Sequence, residues 1–260
     1  MRILFVGDVV GKPGRRASAR ALPGLRSELS ADALVVNGEN TAGGVGVTPG
    51  TARELFDLGV DVITLGNHTY RHRDIFDYLD SEPRIIRPAN YPASNPGRGE
   101  TVVELDAGRL AVGNLMGSVN LEIGRSPFLE ADAMLSRLEG RADVTMIDFH
   151  AEVTSEKVAL GWFLDGRVAA VVGTHTHVPT ADGRVLPQGT AHITDVGMTG
   201  VRDSVIGVRP DQAVERFRTQ LPIRYEGAEG EVWINAVLIE TTENGLAASI
   251  EQVLRPVPED

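Results

Sequence analysis

Residues that can bind metal ions or transfer protons recur at one kind of position in this chain of 260 residues. Each lies at the end of, or within a few residues after, a short apolar segment of the kind that forms a buried strand. They are Asp8, Glu39, Asn40, Asn67, His68, His150, His175 and His177. The carboxyl ends of parallel strands meet at one edge of a sheet, where α/β enzymes place their sites. The pattern therefore predicts one site built from several strand ends.

Each of these residues also has an ordinary structural explanation. An Asp after a strand, such as Asp8, is most often a turn residue or a helix cap, and His150 alone could be a core residue. The pair His175 and His177 is more informative, because residues two apart in an extended segment point in the same direction. Five such coincidences at one sheet edge favour a functional site over five unrelated structural roles.

The number of candidate donors indicates what kind of metal site this is. The chain has no Cys, which excludes disulfides, thiolate metal sites and iron–sulfur clusters. A structural zinc site needs four ligands, usually including Cys. Seven donors are available here: Asp8, Glu39, Asn40, Asn67, His150, His175 and His177. They are enough for two metal ions that share one carboxylate, and two cations ~3.5–4 Å apart are the usual apparatus for hydrolysing phosphate esters.

The elements that must position these donors alternate between strand and helix. Strands are predicted at 3–6, 33–36 and 60–65, each followed by a loop and a helix. The first helix is predicted at 15–29, with Pro23 at a break or kink. The second spans 49–58 with Thr48 as its N-cap, and a short third one is capped by Asp74. Three successive units of this kind indicate a parallel sheet.

The second half of the chain adds antiparallel strands to this pattern. Segments 101–105 and 110–115 predict a hairpin. A helix at 129–138, a strand at 144–149, a helix at 155–164 and a strand at 168–172 follow. The tail from His192 is predicted to be rich in strands, with a closing pair at 232–239 and 247–253. The predicted fold class is α/β, a two-sheet mixed β-sandwich flanked by helices, in a single domain over residues 1–260.

Charge and hydropathy limit the function classes. The formal net charge of −11 argues against non-specific binding to duplex nucleic acid, which depends on a basic surface. No segment approaches the ~20 apolar residues that span a bilayer, and Asp8 comes too early for a secretory signal. We therefore expect no membrane association and a cytoplasmic location. Homo-oligomerisation stays open, because the edges of such a sandwich could pair.

The order of these motifs resembles that of calcineurin-like metallophosphoesterases. Segments 7–15, 37–44 and 195–200 look, more closely, like the YmdB-like branch of that superfamily. The resemblance runs from residue 1 to about 210. It implies a four-layer αββα fold and a two-metal phosphodiesterase that acts on small cyclic nucleotides, notably 2′,3′-cyclic ones such as 2′,3′-cAMP. The metals of that branch are usually described as iron, and manganese is the alternative.

The resemblance also implies a role for each candidate residue. One metal would be held by Asp8, Glu39, Asn40 and His177. The other would be held by Glu39, Asn67, His150 and His175, with Glu39 bridging the two. A hydroxide between the metals would attack phosphorus, and His68 would protonate the leaving oxygen, since a ribose alkoxide needs a proton donor.

The sequence departs from the broader superfamily at two positions. The first motif there is usually Asp-x-His, whereas Val10 stands at its third position here. The bridging carboxylate is usually Asp, and here it is Glu39. Both departures fit the YmdB-like branch, in which Asn40 can supply the oxygen that replaces the missing histidine.

Two other functions fit the same residues. One is a phosphomonoesterase such as a nucleotidase, and the other is a regulatory protein that binds a nucleotide with little turnover. The sequence also leaves open the roles of some nearby polar residues. Asp148 and Asp195 could orient ligand imidazoles, whereas Arg71 and Arg73 could contact an anionic substrate or simply be solvated. The loop from Gly43 to Gly46 could offer backbone N–H groups to a phosphate.

Overall fold

Two mixed β-sheets stacked face to face form the centre of the molecule. The computed structural model describes residues 1–121 and 125–258. The first sheet contains β1 (Arg2–Val6), β2 (Ala33–Asn37), β3 (Val62–Thr64), β4 (Ile85–Ile86), β11 (Gly200–Val201), β12 (Val232–Thr241) and β13 (Ala247–Val257). Its strand order is β11-β12-β1-β2-β3-β4, and β13 pairs with β12. Strands β1 to β4 are parallel, and β12 runs antiparallel to β1.

The second sheet has the same mixed character. It contains β5 (Glu100–Leu105), β6 (Gly108–Met116), β7 (Val144–His150), β8 (Ala170–Thr174), β9 (Arg184–Val185) and β10 (Ala191–Ile193). Its order is β5-β6-β7-β8-β10-β9. The four central strands are parallel, and β5 and β9 are antiparallel edges. The carboxyl ends of the parallel strands in both sheets carry the loops that hold the predicted donors.

The helices of the described residues lie outside the two sheets, and the last of them is mostly exposed. They are α1 (Gly11–Glu28), α2 (Pro49–Phe56), α3 (Phe76–Ser81), α4 (Pro127–Leu138), α5 (Thr154–Phe163) and α6 (Pro210–Thr219). Leu22 of α1 and Leu55 of α2 are buried with the outer face of the first sheet. Phe5 and Met146 are buried between the two sheets, and Met134 of α4 is buried with the second sheet. This four-layer arrangement confirms the predicted fold class.

Most of the predicted elements form, but a break at Pro23 and a cap at Asp74 do not. The N-cap at Thr48 is confirmed, because Thr48 and Thr51 exchange backbone and side-chain hydrogen bonds at 3.0 and 3.2 Å. Helix α1, however, begins at Gly11 and continues through Pro23. Pro23 and Ala19, whose carbonyl it leaves without an N–H donor, are both exposed, so water can solvate that carbonyl.

The short helix after the third strand starts differently from the prediction. Asp74 was expected to be its cap, but it lies inside a 3-10 turn (Arg73–Ile75) that leads into α3. His72 occupies the capping position, and its side chain makes no capping hydrogen bond. The tail contains the predicted pair of β12 and β13, and also α6, which the sequence pattern did not predict. No helix among the described residues is long and apolar enough to cross a bilayer.

Candidate metal centre

Both sheets contribute polar side chains to a single cluster at the carboxyl ends of their strands. The first sheet supplies Asp8, Glu39, Asn40, Asn67 and His68, which follow β1, β2 and β3. The second sheet supplies His150 at the end of β7, and His175 and His177 after β8. The structure therefore brings together all eight residues that the sequence singled out.

Four of these side chains converge around one ring nitrogen. His150 Nε2 lies 3.0 Å from Glu39 Oε1, 2.9 Å from Asn67 Oδ1 and 3.0 Å from His175 Nδ1. An imidazole nitrogen can donate or accept only one hydrogen bond, so these three contacts cannot all be hydrogen bonds. The donor atoms instead face a shared space, as metal ligands do. Among the described residues, Glu39, His150 and His175 form a group that could hold a metal ion.

A second group lies beside the first and contains Asp8, Asn40 and His177. His177 Nε2 is 3.0 Å from the Asn40 amide and 3.8 Å from Asp8 Oδ1. Asp8 is fully buried, and its Oδ1 has no hydrogen-bond partner among the described residues. An unpaired buried carboxylate oxygen is costly unless a cation accompanies it. The donor set of this group therefore fits a metal ion as well.

A glycine leaves the space that the donors of the first group need to come together. Gly66 lies two residues after the end of β3. A Cβ at this position would lie 2.3 Å from His150 Cδ2 and 2.4 Å from Glu39 Oε2. Real side chains never approach so closely. The absence of a side chain at Gly66 is therefore a geometric requirement of the cluster.

A buried hydrogen-bond chain fixes the orientation of His150. His150 Nδ1 lies 2.9 Å from Thr174 Oγ1, which itself donates to Asp148 Oδ1 at 2.7 Å. Because the Thr174 hydroxyl donates its proton to Asp148, its oxygen accepts the Nδ1 proton of His150. That leaves Nε2 of His150 free to act as a ligand. Asp148 is held in turn by Thr64 at 2.5 Å and Asn37 at 3.0 Å.

The sequence of the whole chain places these residues in a known group of proteins. It matches the YmdB-like protein family over residues 4–253. The chain belongs to the YmdB-like family. A relative from Bacillus subtilis named 2',3'-cyclic-nucleotide 2'-phosphodiesterase is 47% identical over 255 residues, which cover 98% of this chain and 97% of that protein. The resemblance inferred from the motifs is thus confirmed, and it extends beyond residue 210.

Two solved structures resemble this member of the YmdB-like family over nearly its whole length. A hypothetical protein from Thermus thermophilus has a TM-score of 0.93 at 40% identity, covering 99% of this chain and all of that one. A protein described as a novel phosphatase from Mycoplasma pneumoniae has a TM-score of 0.92 at 34% identity, covering 98% and 93%. The chain therefore shares its fold with both of these proteins.

In this YmdB-like protein, the loop that carries His175 and His177 has a strained backbone. Both residues adopt positive φ, 99° and 66°, a region that side chains other than Gly rarely occupy. Asp195 holds this loop by accepting the Thr176 N–H at 3.1 Å. Lys157 of α5 donates to Asp195 at 2.5 Å and to the Thr174 carbonyl at 2.7 Å. This anchoring offsets the strain.

Three residues that the sequence analysis missed support the candidate ligands. Thr174 and Lys157 act as just described, and Glu152 Oε2 lies 2.9 Å from His175 Nε2. That contact leaves Nδ1 of His175 facing the cluster, in the way that carboxylates commonly orient ligand imidazoles. A signal existed for Lys157, because it is one of only two lysines in the chain and follows a predicted ligand strand. Asp195 contacts backbone and Lys157 rather than an imidazole ring.

Burial and close charges shift the protonation of the cluster. Burial alone would lower the pKa of His150, but the Glu39 carboxylate raises it to about 9. Burial alone would raise the pKa of Glu39, but His150 and the His68 N–H lower it to about 2. Burial and the neighbouring His150 lower the pKa of His175 to about 3. Burial also raises the pKa of Asp8. Glu39 and His150 therefore form a buried ion pair at neutral pH when no metal is bound.

The remaining nearby residues of interest lie outside this cluster. Arg71 and Arg73 are exposed. The loop from Gly43 to Gly46 packs against the same segment, since His72 Nε2 lies 3.0 Å from the Val45 carbonyl. Arg71 contacts the cluster only through its backbone among the hydrogen bonds of the described residues, donating its N–H to the His68 carbonyl at 3.0 Å, so the predicted alternatives for these residues stay open.

Proposed function

We propose that this protein is a two-metal phosphodiesterase that hydrolyses small cyclic nucleotides, 2′,3′-cyclic ones such as 2′,3′-cAMP in particular. The observation that carries the proposal is the convergence of seven oxygen and nitrogen donors, with His68 beside them, at one edge of the sandwich. The Bacillus subtilis relative supports the choice of substrate by its name. A small-molecule substrate also fits a strongly acidic protein, which is poorly suited to duplex nucleic acid.

The two groups of donors would each hold one metal ion. The first metal would be bound by Asp8, Glu39, Asn40 and His177, and the second by Glu39, Asn67, His150 and His175. Iron is the metal we propose, with manganese as the alternative, because imidazole, carboxylate and amide donors suit both. When bound, the two cations would supply positive charge for the phosphate and a nucleophile that is ionised at neutral pH.

His68 would donate the proton to the leaving oxygen. Its backbone N–H donates to Glu39 Oε2 at 3.0 Å, which ties its position to the candidate bridging carboxylate. Its ring lies 3.4 Å from the side-chain amide of the neighbouring Asn67. Histidine is the side chain that most often transfers protons in enzyme sites, and a departing ribose alkoxide needs such a donor.

A substrate panel with metal analysis tests this function. The purified protein supplied with Mn²⁺ or iron should contain about two metal ions per chain. It should hydrolyse 2′,3′-cAMP and an aryl phosphodiester faster than an aryl phosphomonoester. A preference for the monoester would instead favour a phosphatase, the description carried by the Mycoplasma pneumoniae structure. A metal-loaded protein that returns 2′,3′-cAMP intact after long incubation would contradict the proposal and favour a regulatory role.

Replacing His68 with alanine should separate proton transfer from metal binding. His68→Ala is expected to keep the metals and to lower kcat for 2′,3′-cAMP by roughly 10²- to 10⁴-fold. The aryl diester should be much less affected, since its leaving group needs no proton. His72→Ala is the matched control, because His72 lies nearby but contacts the Val45 carbonyl rather than the cluster. Loss of metal from His68→Ala would assign His68 a ligand role instead.

Metal binding should release a proton from His150. At pH 7 the metal-free ring is protonated, because its pKa is about 9, whereas binding requires neutral Nε2. His175, with a pKa of about 3, and Glu39, at about 2, are already deprotonated. The apparent metal affinity should therefore rise with pH and level off above about 9. Calorimetric titration with Mn²⁺ in buffers of different ionisation enthalpy measures this release, and an affinity independent of pH from 7 to 9 would contradict it.

A further inference from the structure

A cavity opens beside the proposed metal centre on the inner face of the first sheet. Its volume is about 310 Å³, at the lower end of the roughly 300–1,000 Å³ typical of small-molecule pockets. Its wall includes His177, Val178, Arg202, Trp233, Asn235 and Leu254. The cavity therefore lies next to a proposed ligand, and much of its wall is apolar.

One side-chain amide in this wall is open to the cavity. Asn235 is only 9% exposed, and its side chain makes no hydrogen bond within residues 1–121 and 125–258. Its backbone is fixed, because its N–H lies 3.3 Å from Thr199 Oγ1 and its carbonyl accepts from Gly7 N at 2.9 Å. The amide oxygen and nitrogen are not enclosed by protein, so they are open to the cavity, where water or a ligand can pair with them. A donor and an acceptor in an otherwise largely apolar cavity thus point to a ligand that supplies the complementary pair.

An aromatic side chain in the same wall is held in place from two sides. The Arg202 guanidinium lies 3.9 Å from the centroid of the Trp233 ring, and Trp233 Nε1 donates to Glu231 Oε2 at 2.8 Å. Leu254 stands opposite Asn235 on the adjacent strand β13. Arg202 covers one face of the indole, which leaves the other face for a flat heteroaromatic ring to stack on.

We propose that this cavity binds the base of the nucleotide, with Asn235 reading its hydrogen-bonding edge and Trp233 contributing the stacking surface. This inference rests on the proposed function and adds a base-recognition site to it. A carboxamide pairs in two places with an adenine edge, which offers an acceptor next to an amino donor. Adenine, which offers this pair, is the base chosen to test the cavity. His177 is shared between the cavity and the metal centre, which places the base beside the phosphate.

Adenosine binding tests the cavity without any chemistry, because adenosine has no phosphate to engage the metals. The chain has two tryptophans, so the exposed Trp162 is replaced by Phe and the emission of Trp233 is followed during titration with adenosine. Quenching is expected. Asn235→Leu should weaken the affinity about fivefold to tenfold, the effect of one lost hydrogen-bonded pair. Gln188→Leu is the control, because it removes a comparable amide from an exposed residue. Gln188 precedes β10, at the amino end of that strand and away from the carboxyl ends that carry the donors. This variant should bind adenosine normally.

Steady-state kinetics then tests the role of the cavity in the reaction. The readout is the ratio of kcat/KM for 2′,3′-cAMP to kcat/KM for an aryl diester, which has no base. Asn235→Leu is expected to lower this ratio about fivefold to tenfold, and Gln188→Leu should leave it unchanged. Val178→Trp, at a residue 58% exposed, fills the cavity with little risk to folding and should lower the ratio by more than about tenfold.

The outcomes separate this proposal from the proposed function. Weaker adenosine binding together with a lower ratio in both cavity variants supports the base site. Normal hydrolysis of the aryl diester with an unchanged ratio and unchanged adenosine affinity overturns the base site and leaves the phosphodiesterase intact. Absence of diester hydrolysis with metal bound, while Asn235→Leu still loses adenosine, overturns the phosphodiesterase and leaves a base-binding site.

Discussion

Replacing Gly66 with alanine is expected to abolish phosphodiester hydrolysis. The added Cβ would lie 2.3 Å from His150 Cδ2 and 2.4 Å from Glu39 Oε2, so both side chains would have to leave their positions. The rate should fall by at least roughly a thousandfold, because metal ions in such sites supply several kcal/mol of transition-state stabilisation. Metal analysis and kcat/KM for an aryl diester measure the loss.

Gly24→Ala is the matched control for this substitution. A Cβ at Gly24 would meet nothing within 4 Å outside its own helix, and the residue is exposed inside α1. This variant should keep full activity and be more stable by about 1 kcal/mol, since alanine favours a helix over glycine. Full metal content and a normal rate in Gly66→Ala would contradict the prediction, because they would show that the cluster accommodates a side chain at residue 66.

Replacing Lys157 with methionine should destabilise the whole protein and release the loop that carries His175 and His177. Lys157 is 1% exposed, and the Asp195 carboxylate that it contacts is fully buried. Breaking a buried pair from one side leaves an uncompensated charge, which costs roughly 3–5 kcal/mol. The free energy of unfolding in urea should fall by that amount, and metal should bind more weakly because the strained loop loses its anchor.

The other lysine of the chain provides the control. Lys12 is exposed, so Lys12→Met should change the free energy of unfolding by less than about 0.5 kcal/mol. The double variant Lys157→Met with Asp195→Leu should recover part of the stability, since it removes both charges. It should not recover metal affinity, because the Thr176 N–H would have lost its acceptor. A stable Lys157→Met protein with normal metal affinity would contradict this account.

Local signals accounted for most of the fold. The cap at Thr48 followed from residues three apart, and the apolar strands followed from their composition. Helix α6 was missed because its two large apolar side chains face solvent and only the small Ala213 is buried. Val214 and Phe217 are 60% and 78% exposed, so no buried stripe marked the helix. The continuation through Pro23 depends on which face of α1 is covered, and that is decided by tertiary packing rather than by neighbouring residues.

The sequence predicted the candidate metal ligands better than it predicted the residues that support them. The donors could be found because each one ends an apolar segment, and strand ends of a parallel sheet must meet. Their supports could not be found in the same way. Thr174 and Asp148 act through contacts 24 and 26 residues apart, and Lys157 reaches Asp195 over 38. Such partners are chosen by how α5 and the second sheet pack, which the sequence pattern does not specify.

The arrangement of donors on two separate sheets gives the sandwich a mechanical property. Asp8 and Glu39 move with one layer, and His150 and His175 move with the other. Any sliding of one layer against the other would pull the two halves of the cluster apart together. A cation bound by donors from both layers would cross-link them. Removing the metal should therefore increase the motion of one sheet against the other, far from the cluster as well as within it.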